Sequence, residues 1–281
     1  MNKIFNSDTM APYIILFIIT VLSIYPFFYM ISTSLMTGGE AANQYLFPKK
    51  LMFENYLEVW TSNNFQSYTL NSLIIASIVV SGILFTSIPA AYAFARIEFP
   101  FKNIIFYFLI VSLMIPEIIM LLPHLLIIRG DIFPLPFGSS WMNSLKGLTI
   151  PFMGNIFVIF LLRQYFKKIP TELWDAARMD GASHIYFLYK VVVPLSLPII
   201  VTVSLFSFIL SWNAFAWPLL ILTKEDWFPV TVSIYGFIRE VGPNVNLLMA
   251  ASVISIIPIL VLYFFTQRLF LESISNFGIK E

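Results

Sequence analysis

Cysteine is absent from the chain, and histidine occurs only at His124 and His184. The first absence excludes disulfides, iron–sulfur ligation and thiol catalysis. The second leaves too few imidazoles for a histidine-based metal site. Charge is the next scarcity: 11% of the 281 residues are Asp, Glu, Lys or Arg, against about 25% in a soluble domain. A net charge of +1 leaves no nucleic-acid footprint. No G-x-x-x-x-G-K-[ST], H-E-x-x-H or G-x-S-x-G occurs, so the chain has no P-loop for ATP and neither of two common hydrolase signatures. It also has no internal repeat, low-complexity tract or recognisable soluble domain.

What the chain does have is apolar length. Hydrophobic residues make up 59% of it, and the mean hydropathy is +0.85. Six apolar runs follow, at roughly 12–35, 70–95, 104–128, 148–166, 194–222 and 247–270. Backbone groups cannot stay unpaired in lipid, and the runs do not alternate as barrel strands do. The sequence therefore predicts an all-α integral membrane protein with six transmembrane helices. The first run follows Lys3 and passes Pro26 without an A-x-A site, which predicts an uncleaved span rather than a signal peptide. The fourth is the weakest. Its uncharged stretch, Gly147 to Leu162, reaches about 24 Å as a helix, short of the roughly 30 Å hydrocarbon core. Arg163 is expected to extend it by snorkelling to the interface.

Orientation follows from Lys and Arg. One set of flanks holds Lys3, Arg96, Lys102, Arg163, Lys167, Lys168, Arg178, Lys190, Arg268 and Lys280; the other holds Lys49, Lys50, Arg129, Lys146, Lys224 and Arg239. The richer set marks the cytoplasmic side, so both termini are predicted to be cytoplasmic. The outer loops are then roughly 36–69, 129–147 and 223–246. The chain divides into a first helix and outer loop (1–69), a five-helix core (70–270) and a C-terminal tail (271–281).

Charges gather between the fourth and fifth runs, in "ELWDAARMDGASHIYFLYKVVVPLSLP" (172–198). Pro170 and Thr171 suit a helix start, and Glu172 and Asp175 lie in a first turn, where the dipole favours acids. Ala176 and Ala177 favour helix, and Gly181 suits the residue after its end. A second short helix is predicted from Ser183 toward Val193, with Pro194 and Pro198 opening the fifth span. The product is a helix–turn–helix on the cytoplasmic face, pairing a charged edge with two small alanines. Two readings fit it: a docking element for another protein, or an amphipathic connector resting on lipid.

Polar groups within the spans are few. Glu117 follows Pro116 in the third run, and an intramembrane carboxylate marks a functional position by default. It can line a solute path, pair with a partner, sit near the interface or brace a kink. Ser204, Ser207 and Ser211 recur at i, i+3 and i+7, on one helix face. With Asn213 they can offer hydroxyls and an amide to a solute, or serve as small residues for helix packing. Ser77 and Ser81 read the same way.

The charged loop resembles the cytoplasmic loop of ABC importer permeases: E-A-A, three residues, Gly, nine residues, then I-x-L-P. Here Asp175-Ala176-Ala177 is followed by Gly181 at that spacing, and Val191-Val192-Val193-Pro194 closes the pattern. Asp replaces Glu, and Val replaces Ile and Leu. The likeness covers most of the chain and is nearest to carbohydrate permeases similar to the smaller maltose-importer permease. It is carried by "YLEVW" and "LNSLIIA" (56–76), "AAYAFARIEFPFKN" (90–103), "LMIPEIIMLLP" (113–123), "IFLLRQYFKKIPTELWDAARMDGAS" (159–183) and "SFILSWNAFAWPLLIL" (207–222). Ala214 stands where the subfamily usually has an acid.

The resemblance implies a type I ABC importer permease fold and no chemistry in the chain itself. Two permeases would form a heterodimeric pore in a bacterial cytoplasmic membrane. Two ATPase subunits would bind ATP and Mg and drive it, and an extracytoplasmic binding protein would deliver a sugar. Glu172, Asp175, Ala176, Ala177, Asp180 and Gly181 would form a coupling helix seated in one ATPase subunit. Glu117, Ser204, Ser207, Ser211 and Asn213 are the candidates for the translocation path, although in the maltose importer the sugar site lies on the other permease. The outer loop 224–246 resembles one that approaches the binding protein, and the tail resembles one that reaches toward the ATPases. The competing expectations are a stand-alone secondary transporter centred on Glu117, and an ABC permease for a solute other than sugar. A membrane enzyme would need a cluster of His, Asp or Cys at the membrane face, and the sequence offers none.

Overall fold

The computed structural model describes residues 7–62, 64–131, 140–240 and 244–278. Of the sequence expectations, those resting on Lys3, Lys280, 132–139 of one outer loop, 241–243 of another and 279–281 of the tail lie outside them. Among the described residues every regular element is helical. In chain order the α-helices are α1 (Ser7–Ser34), α2 (Gly38–Ala42), α3 (Glu54–Thr61), α4 (Phe65–Arg96), α5 (Lys102–Ser112), α6 (Glu117–Arg129), α7 (Leu145–Thr149), α8 (Ile156–Phe166), α9 (Glu172–Met179), α10 (His184–Phe187), α11 (Val193–Leu195), α12 (Leu197–Trp212), α13 (Ala216–Ile221), α14 (Val230–Glu240) and α15 (Val245–Gly278). Two 3-10 turns, Ile150–Phe152 and Glu225–Trp227, and a π turn, Leu188–Val192, complete the set.

Among the described residues three stretches are unbroken and long and apolar enough to cross a membrane: Pro12–Ser34, Phe65–Arg96 and Val245–Leu271. The other three apolar runs are bent pairs. Lys102–Ser112 meets Glu117–Arg129 at 102°, Leu145–Phe152 meets Ile156–Lys168 at 40°, and His184–Leu195 meets Leu197–Trp212 at 81°. Proline explains much of this. Pro116 has an extended ψ of 132° just before α6 and no N–H to continue α5. Pro194 and Pro198 flank the 81° break, so the fifth run starts its long helix at Leu197 rather than at Pro194. That helix also stops early, at Trp212, and α13 resumes only at Ala216.

The chain falls into two compact units. One comprises 1–67 and 233–257; the other comprises 68–232 and 258–281. In the first, α1 is exposed from Pro12 to Phe28, as an apolar helix in lipid is. Its C-terminal carbonyls have no partner within the helix, and Asn55 supplies one: its Nδ2 donates to Ser34 O and Met36 O, both at 2.8 Å. Asn246 Nδ2 in turn donates to Asn55 Oδ1. Thr37 and Glu40 form a capping box at α2, and Lys49 N–H donates to the Glu40 carboxylate. The backbone N–H of Thr37 is the main cause holding the Glu40 carboxyl below its usual range. A depressed folded pKa stabilises above the unfolded value, and that gain is lost as pH falls through the folded one. Acidification below about pH 4 is thus expected to lower the protection of amides at the start of α2, measured against their intrinsic exchange rates at the same pH. Glu40→Gln should abolish that pH dependence.

In the second unit, Ile75, Val79 and Ile83 of α4, Val158, Leu162 and Phe166 of α8, and Ile199, Ile200 and Val203 of α12 are buried in one apolar cluster. One end of this core is closed by loops. Asn143 Oδ1 accepts from the N–H groups of Thr223 (2.6 Å) and Lys224 (3.0 Å). Trp217 Nε1 donates to Gly147 O at 3.0 Å. Tyr68 donates to Glu225, Asn71 Nδ2 to Asp226 O and Phe228 O, and Val230 N–H to Ser72 Oγ. These bonds fasten 223–230 onto the start of α4.

Candidate functional site

The acidic helix–turn–helix lies in the second unit. α9 ends as the sequence predicts: Gly181 has φ +78°, and the N–H groups of Gly181 and Ala182 bond to Arg178 O (3.0 Å) and Ala177 O (2.9 Å). That pair is a Schellman closure, in which glycine is the residue that takes positive φ without strain. Ser183 then caps α10 through Tyr186 N–H. The second helix does not run on as plain α: it passes through the π turn Leu188–Val192 into α11.

α9 is held by one edge. Trp174 and Ala177, three residues apart on one face, are half-buried against the core. The Trp174 ring stacks on His184, with centroids 4.2 Å apart and planes 16° apart, and meets Phe187 edge-on at 5.1 Å. The remaining face is open. Glu172, Asp175, Ala176, Arg178, Asp180 and Gly181 are exposed, as are Leu173, Met179 (86%), Ile185 (72%), Tyr186 and Tyr189. Of the six residues expected to dock, the structure sets five on the open face and turns Ala177 toward the core.

Behind the hairpin stand Tyr92 and Arg96 of α4 and Arg163 of α8, which sequence reasoning did not connect with it. Tyr92 on α4 shares a hydrogen bond of 2.9 Å with His184 Nδ1 and packs near Phe187. One turn on, Arg96 Nη2 donates to the carbonyls of Phe166 (2.8 Å) and Ile169, the last residue of α8 and a residue of the segment leading into α9. Arg163 returns the bond: its Nε donates to Phe94 O in the last turn of α4 at 3.1 Å. Its guanidinium carbon lies 3.8 Å from the centre of the Phe106 ring. Arg163 is 8% exposed, so it does not snorkel outward as expected. The carbonyls at the ends of two helices need donors, and a planar guanidinium over an aromatic face supplies one at the least hydration cost. The Tyr92 and Arg96 spacing of i, i+4 was the available signal.

The serines separate. Ser204 joins Ser77 and Ser81 of α4, Phe208 of α12 and Leu262 and Thr266 of α15 around a cavity of about 390 Å³. Ser207 is buried and lines a different space of about 120 Å³ with Asn155, Val158 and Phe206. Ser211 and Asn213 line neither. Asn213 ends α12: its backbone N–H and its Nδ2 both donate to Ile209 O. Glu117 lies outside both cavities too. It is the exposed first residue of α6 at the 102° bend, where a carboxylate suits the helix dipole. Among the described residues no group of three or more His, Cys, Asp or Glu is placed to hold a metal.

This arrangement has counterparts among known proteins. Residues 82–276 match the family described as binding-protein-dependent transport system inner membrane component. The chain belongs to this family. As a family member it is an inner-membrane protein of bacterial type, and 82–276 takes in α9 and the cavity wall formed by α12 and α15. The arabinooligosaccharides transport system permease protein AraQ of Bacillus subtilis is 27% identical over 267 residues, covering 93% of this chain and 92% of that protein. AraQ of Halalkalibacterium halodurans is 31% identical over 251 residues, 89% of this chain and 86% of that one. The sn-glycerol-3-phosphate transport system permease protein UgpE of Shigella flexneri is 32% identical over 242 residues, 83% of each. A chain of the crystal structure of a bacterial ABC transporter involved in the import of the acidic polysaccharide alginate shares the fold. Its TM-score is 0.83 at 24% identity, over 95% of this chain and 99% of that one.

Proposed function

We propose that the chain is a permease subunit of an ATP-driven, binding-protein-dependent importer of carbohydrate, and half of a heterodimeric pore. Counting each bent pair as one crossing gives six spans, with both termini cytoplasmic and α9 on the cytoplasmic face. The observation that carries the reading is the open face of α9: an acidic and apolar surface on a short helix, seated on an aromatic stack and closed at Gly181. Such a face on a family member fits docking to one ATPase subunit better than rest on lipid, because Glu172, Asp175 and Asp180 outnumber Arg178 there and anionic headgroups would repel them. Glu172, Asp175, Ala176, Asp180 and Gly181 make the contact, with Ala177 on the seated edge. The ATPase subunits, not this chain, bind ATP and Mg and hydrolyse it; their closure swings α9 and rocks the helices between inward-open and outward-open states. The serine-lined cavity is the part of this chain that faces the solute path. A carbohydrate substrate is supported by the printed functions of the relatives.

The test is co-purification in mild detergent with the products of neighbouring genes. A second permease and an ATPase are expected to remain bound, and solute screening with the binding protein then fixes the sugar. In Gly181→Pro the turn cannot form, since proline holds φ near −65° and has no N–H. ATPase retention, or transport per ATP, is expected to fall by roughly tenfold or more. A stable homo-oligomer without ATPase, indifferent to this substitution, would overturn the reading.

A further inference from the structure

The docking hairpin is attached to α4 at two separate points, on its two sides. Arg96 grips the segment that leads into α9, through the carbonyls of Phe166 and Ile169. Tyr92 grips the helix that leads away from it, through His184 Nδ1 at 2.9 Å, and His184 is itself stacked on Trp174 of α9. Tyr92 and Arg96 are four residues apart, so they lie on one face of α4, one above the other. The middle of α4 is equally occupied: Ser77, Val80 and Ser81 form one wall of the 390 Å³ cavity. From Ser81 to Arg96 the helix spans about 22 Å.

We infer that Tyr92 and Arg96 are the positioning residues through which movement of the docking hairpin is passed to α4 and so to the cavity. The inference rests on the reading of α9 as the ATPase-docking helix, and it names the output side of that helix. The two contacts divide the work. Arg96 fixes the translation of the hairpin, because two carbonyls on one guanidinium leave little play. Tyr92 fixes its tilt, because its partner sits on the aromatic stack that carries α9. Arg163 is the counterpart that prevents slippage: its bond to Phe94 O ties α8 back to the same turn of α4. A push on α9 therefore reaches α4 without first having to bend α8. Coupling of this kind is carried by rigid elements with discrete contacts, and single side chains along it shift it measurably.

The experiment uses the assembled complex in proteoliposomes and reads three quantities: ATPase retained per permease, ATP hydrolysed, and solute moved per ATP. Wild type comes first. If it retains no ATPase, the reading of α9 fails, and this inference with it, before any variant is made. With wild type active, Arg96→Ala is expected to assemble and hydrolyse ATP while moving roughly tenfold less solute per ATP. Tyr92→Phe keeps the ring in place and loses only the hydroxyl; it is expected to lower the same ratio roughly threefold. Arg96→Lys, which can still donate to a carbonyl, should restore part of the loss. A merely structural role would reduce the amount of complex and leave solute per ATP unchanged. Should Arg96→Ala not assemble, Tyr92→Phe decides alone. An unchanged ratio of solute to ATP in an assembled variant overturns the inference while leaving the docking role of α9 intact.

Discussion

Replacing Trp174 with alanine is expected to release α9 from the bundle and strip the permease of its ATPase. An eight-residue helix has no stability of its own in water, where isolated helices below about 12–15 residues are marginal. α9 keeps its shape because something holds it, and only Trp174 and Ala177 of its residues pack on the core. The indole stacks on His184 at 4.2 Å and meets Phe187 at 5.1 Å. Losing a half-buried tryptophan and two aromatic contacts costs about 2–3 kcal/mol, which exceeds what a short exposed helix can give up and stay docked. Copies of the variant should fold and insert, since the apolar cluster of α4, α8 and α12 does not include the indole. ATPase retention, measured by pull-down against total permease, should fall at least tenfold. Trp174→Phe should retain most of it. Undiminished retention in the alanine variant would mean that α9 is held by the partner rather than by its own chain.

Gly147→Ala is expected to have the largest effect on folding itself. A Cβ at Gly147 would fall on the carbonyl oxygen of Trp141, well inside contact distance. That obstacle is backbone, and its own chain is pinned by the bond from Trp141 N–H to Ile128 O at 2.8 Å. The Gly147 carbonyl also accepts from Trp217 Nε1, so the residue cannot move away without leaving a buried donor unpaired. Overpacking of this kind costs about 1–3 kcal/mol, and an orphaned donor adds about 1–3. The yield of monodisperse protein in detergent should drop sharply, and its melting temperature should fall by several degrees. Trp217→Phe, which loses the donor and part of the ring that packs on His124 and Phe152, should also lower the melting temperature. Gly147→Ala with wild-type melting would mean that the 141–147 turn has room the structure does not show.

The six apolar runs were legible because their length and lack of charge leave helices as the only way to satisfy the backbone in lipid. Their bends were only half legible. Pro116, Pro194 and Pro198 stand in plain view, but proline is tolerated inside long helices too: α1 contains Pro12 and Pro26, and α4 contains Pro89. What separates the cases is whether neighbours re-satisfy the freed groups, and one chain read alone does not say which neighbours those are. The turn at Gly181 was legible for the opposite reason. It is local, and positive φ after a short acidic helix points to glycine whatever surrounds it. Ser204 and Ser207 show where periodicity stops. Three residues turn a helix by about 300°, so the two hydroxyls point some 60° apart, near enough to share a face on paper. With α4 and α15 on one side and α8 on the other, that angle sends them into different cavities. Arg163 was misread because a cation at the end of an apolar run usually reaches for water. Here an open helix end and the ring of Phe106 lie closer.

One contact near the middle of α4 gains meaning beside the arginines. Where the 40° break interrupts the fourth run, Thr86 donates to Met153 O, and a side chain at Gly82 would collide with Met153. α4 and α8 are thus riveted twice, at the break and again at Arg96 and Arg163, about 15 Å apart along α4. Two rivets make a girder where one would make a pivot: shear and twist between the members are blocked, and the pair keeps its geometry under load. The compliance of this membrane protein must then reside elsewhere, at the exposed 102° joint of 113–116.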